Sequence, residues 1–159
     1  MKMIHFFVML QLMLLSKCTP PEDLQADNQF QEDFLKSVNA LRVQGCKCGS
    51  SSMPPVAPIT WNDQLAEAAQ RHANDMAKND HFDHTGTDGS SSAQRISDAG
   101  YKWRSVGENI AWGYQDIKAV VAGWVKSKGH CQNMMSADYT EMGAAQNGTY
   151  WVQTFGKPR

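Results

Sequence analysis

The chain has 159 residues, 42% of them hydrophobic and 19% charged, with 15 Lys+Arg against 16 Asp+Glu. That length suits one domain with a sizeable core and is too short for two. Near-neutral charge with ordinary apolar content excludes a disordered chain, a collagen-like repeat and a nucleic-acid-binding charge excess.

The amino terminus reads as an export signal. Lys2 precedes an apolar stretch from Ile4 to Leu15, broken only by His5 and Gln11, and no acidic residue comes before Glu22. A membrane-spanning helix needs about 20 apolar residues, so the run is too short for an ordinary anchor and residues 1–17 are expected to be a signal peptide. Leu15-Ser16-Lys17-Cys18 has the Leu and Cys of a bacterial lipoprotein box, with Lys17 where that box has a small residue. Two fates follow for Cys18, plain secretory cleavage nearby or a lipid anchor. Loss of residues 1–17 leaves 13 Lys+Arg against 16 Asp+Glu, a net charge of −3, which gives no reason to expect nucleic acid.

Cys46, Cys48 and Cys131 are the other cysteines. In an exported chain a pair is expected to be oxidised. Cys46 and Cys48 flank a single residue, too tight for each other, so Cys131 is expected to pair with Cys46 or Cys48 and leave a free thiol unless two chains pair. The competing reading, a Cys-x-Cys zinc site with His130, lacks four ligands at finger-like spacing.

Residues 18–27, with Pro20-Pro21, read as a linker, and residues 28–159 as the domain. Phe30, Phe34, Val38 and Leu41 recur at helical spacing, Asn28 and Gln31 form a capping pair and Gly45 is the stop. Cys46 to Pro58 reads as a long surface loop pinned by cysteine. Asn62 or Asp63 caps a second helix to about Asn79 with Leu65, Ala69, Ala73 and Met76 buried and His72 at the edge of that stripe. His81 to Ser92 is loop, Ser92 to Ala99 a short helix closed by Gly100, and Val106 to Tyr114 a strand with Glu108 near its start. Asp116 caps a helix carrying Ile117, Val120, Val121 and Trp124 and ending before Gly129, so His130 is expected to lead out of a helix C-terminus. Tyr139 to Gln146 and Thr149 to Phe155 form a hairpin about Asn147-Gly148, which also explains the glycosylation-like Asn147-Gly148-Thr149. The five tryptophans are expected in the core rather than on a ligand platform. The mixture without βαβ regularity predicts an α+β fold, with helices on both faces of a small, largely antiparallel sheet.

Three side chains carry chemistry: His84 in a glycine-flanked loop, Glu108 after Gly107 and His130 after Gly129. Two imidazoles and a carboxylate suit a divalent transition metal such as zinc, or an acid and base. In the blander reading Glu108 holds backbone N–H groups of adjacent loops and the histidines are satisfied polar groups in an open groove. His72 is expected to be structural, and His81 an exposed loop residue.

Gly107-Glu108-Asn109-Ile110-Ala111, Gly129-His130-Cys131-Gln132-Asn133-Met134-Met135, Glu141-Met142-Gly143 and Tyr150-Trp151-Val152-Gln153-Thr154-Phe155-Gly156 resemble the signatures of the CAP superfamily of cysteine-rich secretory, antigen and pathogenesis-related proteins. Trp61-Asn62, His72-Ala73-x-x-Met76-Ala77 and Phe82-Asp83-His84-Thr85-Gly86 precede them in the order expected of its bacterial branch. The resemblance covers about Asn28 to Phe155. It implies an α-β-α sandwich, secretion, and a surface cleft with two histidines and two acidic residues. His84, Glu108 and His130 match three of the four, and Ser127 stands where family members with the full set have the second carboxylate, so a metal is expected to bind more weakly than at a full tetrad.

Two functional classes follow. The first is a secreted or surface-anchored binding module, monomeric, needing no cofactor, whose cleft takes a divalent cation or a small polar extracellular ligand. The second is a peptidase or esterase in which His84 or His130, oriented by Glu108, activates Ser127 or a metal-bound water. It ranks lower, because no nucleophile elbow surrounds Ser127 and no oxyanion donors can be named. Lipid or sterol binding, implied only by the resemblance, is a third.

Overall fold

The computed structural model describes residues 22–159; the expected signal peptide and residues 18–21 of the expected linker, Cys18 among them, lie outside the described residues. In chain order the elements are α1 (Glu22–Gln44), β1 (Cys46–Cys48), β2 (Ser51–Met53), β3 (Thr60–Trp61), α2 (Asp63–Asn79), α3 (Ser92–Asp98), β4 (Trp103–Trp112), α4 (Ile117–Lys126), α5 (Lys128–Met135), β5 (Glu141–Asn147) and β6 (Tyr150–Pro158). The main sheet has the order β3-β5-β6-β4, antiparallel except for the short parallel β3–β5 pair. β4 is therefore an edge strand.

Alternation along the strands sends side chains to two apolar layers. Ile110, Ala145 and Val152 meet Ala69, Ala73 and Met76 of α2 on one face. Ala111, Ala144 and Trp151 meet Phe34 and Val38 of α1, Trp124 of α4 and Met134 of α5 on the other. α3 extends the α2 layer, where Ile96 packs with Leu65, Ala68 and Tyr101. The result is the expected α-β-α sandwich. Arg42 joins the second layer to the sheet end. Its guanidinium is buried and donates to the carbonyls of Ala57, Met134, Ser136 and Tyr139, so a buried cation is held by backbone dipoles.

α2 starts where the sequence puts it: Asn62 is the N-cap, its Oδ1 accepting from the backbone N–H of Gln64 and Leu65. Four expectations change. α1 begins at Glu22, so Asn28 is interior to the helix rather than its cap. Cys46 to Pro58 contains the hairpin β1–β2, with Cys46 opposite Met53. His130 does not lead out of a helix. The chain turns at Ser127, whose extended backbone ends α4 and opens α5, and His130 is the third residue of α5. Cys131, Met134 and Met135 are the buried positions of α5, a spacing of three and four masked by Gly129. The final turn sits one residue later than Asn147-Gly148. Asn147 pairs with Tyr150, and Gly148 alone takes positive φ, at +58°.

Trp124 and Trp151 are buried as expected, but Trp112 is 60% exposed. It ends the edge strand, and its ring lies 6.4 Å from that of Tyr150. Cys131 pairs with Cys48, leaving Cys46 as a half-buried free thiol. Cys48, one of the two sulfurs of the alternative Cys-x-Cys zinc site with His130, is thus held in a disulfide.

Candidate functional site at the β4 edge

Glu108 lies in the middle of β4, opposite Thr154, on the face that carries Ile110 toward α2. Its side chain is only 3% exposed. A carboxylate at that depth requires partners, and it has two. Oε2 accepts from Nη2 of the equally buried Arg95 on α3 at 2.8 Å. Oε1 is 2.8 Å from Nδ1 of His84.

Arg95 also ties the His84 loop into place. Its Nη1 donates to the Ser90 carbonyl at 2.7 Å and its Nη2 to the His84 carbonyl at 3.0 Å. His72, wholly buried rather than at the edge of the α2 stripe, has Nε2 at 2.9 Å from the Asp83 carbonyl. Asp83 Oδ1 in turn accepts from the Thr85 N–H at 2.7 Å. The loop that presents His84 is thus fastened from beneath by α2 and α3. His84 itself is 55% exposed. Because Nδ1 faces the carboxylate, the ring turns Nε2 away from the buried pair.

His130 comes from the opposite layer. Its carbonyl accepts from Asn109 Nδ2 at 3.1 Å, and Asn133, one turn on, donates to the Asn109 side chain at 2.9 Å and to the Glu108 carbonyl at 3.2 Å. The edge strand is therefore clasped, with the His84 loop on one side and α5 on the other. The hydrogen bond that His84 makes to Glu108 raises the His84 pKa above its ordinary value, whereas burial, followed by repulsion from the His84 charge, lowers that of His130. Burial likewise lowers His72, which faces the Glu108 and Arg95 charges.

Ser127 is the N-cap of α5, half-buried, and its hydroxyl makes no capping bond. Among the described residues, the group of His, Cys, Asp or Glu whose donor atoms all lie within 4.8 Å of one another is Cys46, Cys48 and Cys131; His84, Glu108 and His130 are not drawn together that tightly. Arg95 is the site residue that sequence reasoning missed. Nothing in its seven-residue helix marks a buried cation.

Residues 35–155 match the family described as CAP, the cysteine-rich secretory protein family, and the chain belongs to it. Among curated relatives, the uncharacterized membrane protein YlbC of Bacillus subtilis (strain 168) is 34% identical over 127 residues, covering 80% of this chain and 34% of that protein. The uncharacterized protein YkwD of the same organism is 29% identical over 129 residues, 79% of this chain and 46% of that one. The chain spans less than half the length of either.

Among solved structures, an extracellular protein containing an SCP domain from Bacillus anthracis superposes with a TM-score of 0.73 at 22% identity, covering 87% of this chain and 44% of that one. An outer surface protein from Borrelia burgdorferi gives 0.66 at 19% identity, covering 85% and 94%. NaASP2, solved with Zn2+, gives 0.55 at 17% identity, covering 82% and 80%. The fold is thus that of a CAP or SCP domain of the bacterial type.

Proposed function

We propose that the protein is a secreted or surface-anchored binding module whose cleft at the β4 edge takes a divalent cation, or a small polar ligand, through His84 and His130. The observation that carries this reading is the 2.8 Å contact between His84 Nδ1 and a Glu108 carboxylate that Arg95 already holds. A carboxylate bonded to one imidazole nitrogen fixes the tautomer and leaves the other nitrogen as an outward lone pair, the arrangement that supports histidine ligands to metals.

The donor set fits a cation in a modified form. Glu108 has both oxygens engaged and would have to break a buried ion pair to ligate, so it is a positioning group, and the donors are the two imidazoles. Zinc suits such nitrogen donors, and when bound it supplies positive charge to polarise an anionic or carbonyl ligand. With Ser127 in place of a second carboxylate, the site has little negative charge and the ion would keep water in its shell. Export is supported by the signal grammar of residues 1–17 and by relatives described as extracellular or outer-surface proteins. No helix among the described residues is long and apolar enough to cross a membrane.

Calorimetric titration of the oxidised protein with zinc tests the reading. Binding is expected in the wild type and is expected to be lost in His84→Ala and in His130→Ala. Undiminished binding in both variants would refute it. The His84–Glu108 pair, a half-exposed base with its buried orienting carboxylate, also supports a hydrolytic reading. A screen of ester and peptide substrates distinguishes the two, turnover lost in His84→Ala being the outcome that favours hydrolysis.

A further inference from the structure

Cys46 and Cys48 stand two residues apart on β1, so their side chains leave the same face of the strand, and that face meets α5. Either sulfur can therefore reach Cys131. The bond joins Cys48 to Cys131, both wholly buried, and the Cys46 thiol, partly open to solvent, lies with its Sγ 3.7 Å from Cys131 Sγ. All three sulfurs fall within 4.8 Å of one another. A free thiol packed against a disulfide sulfur has the proximity that thiol–disulfide exchange requires.

We propose that Cys46 is the entry nucleophile of an exchange site, passing the bond from Cys48–Cys131 to Cys46–Cys131 and so bringing a buried disulfide within reach of external thiols. In the step, the Cys46 thiolate attacks Cys131 Sγ. The Cys46–Cys131 bond forms, the Cys48–Cys131 bond breaks, and Cys48 leaves as the thiolate that takes up the proton Cys46 gave away. The number of thiols and disulfides is unchanged, so no outside oxidant or reductant enters. Attack by an external thiol on the transferred bond meets the half-exposed Cys46 sulfur instead of two buried ones. Burial pushes the Cys46 thiol up, which keeps it protonated at rest and makes its thiolate the stronger nucleophile when formed.

Lys47 makes the two linkages separable, because trypsin places Cys46 in peptide 43–47, Cys48 in 48–71 and Cys131 in 129–159. The experiment uses the full chain with Cys18→Ser, so that only the three clustered cysteines report. Adding Cys48→Ser and incubating with oxidised glutathione is expected to join 43–47 to 129–159 and leave no free thiol; two persisting thiols, or glutathione adducts alone, would overturn the proposal. Independently, reduction of the native bond by reduced glutathione is expected to slow by at least about tenfold in Cys46→Ser. Equal rates with and without Cys46 would overturn it as well.

Discussion

Glu108 divides its two oxygens between a buried cation and a half-exposed ring, and each partner sets a measurable quantity. Glu108→Gln keeps the shape but strands the Arg95 charge, and should lower unfolding free energy by about 3–5 kcal/mol in denaturant titrations. The same change should bring the His84 pKa down, since that hydrogen bond is the largest cause of its elevation. Proton titration by NMR should place His84 above about 6.5 and His72 and His130 below it. The stability consequences have opposite signs. The His84 contribution is fully present below its unfolded value and is lost as pH rises through its folded one. Those of His72 and His130 are present above the unfolded value and are lost as pH falls through their folded ones. His84 and Glu108 were legible from residue type and motif. Arg95 and the full burial of His72 were not, because both depend on which faces of α2 and α3 close over β4.

Close approach governs the elements. A Cβ at Gly143 would meet the backbone N of Ala66, so α2 lies directly on β5 with no room for a side chain. Gly143→Ala should therefore cost about 3 kcal/mol, measured by thermal or chemical unfolding, because backbone rather than a flexible side chain must move. Asn62→Ala should cost about 1 kcal/mol by removing the acceptor for two N–H groups of α2. The long amphipathic α2 was readable almost to the residue, since stripe and cap agree. α5 was hidden by Gly129, which reads as a stop when α4 precedes it. β1 and β2 are three residues each, too short for alternation to register. Trp112 reads as core by residue type, and only its place at the end of an edge strand puts it in solvent.

Across the whole molecule the Cys48–Cys131 bond closes a loop of 83 residues in sequence separation. Cys131→Ser removes either pairing and should cost up to about 4.5 kcal/mol by the loop-entropy relation. Cys48→Ser should cost less where Cys46 takes over the bond. The α+β class was legible because helical and strand periods alternate irregularly along one domain's length, and the α-β-α sandwich followed from the resemblance to the CAP superfamily. The disulfide partner was not, because both Cys46 and Cys48 face Cys131 and spacing cannot choose between them. In the proposed site, two layers of the sandwich deliver one imidazole each to a shared, wet edge. Binding through neutral rings implies that zinc affinity falls by at least about tenfold from about pH 7.5 to about pH 5.5, with protonation of His84 setting in first. The most direct test is nitrogen-resolved NMR of the imidazoles of the oxidised protein during zinc addition. The account predicts that His84 Nε2 and a ring nitrogen of His130 shift together at one stoichiometry, while His72 and His81 stay in place. Shifts confined to His72 or His81, or none at any ring, would contradict it.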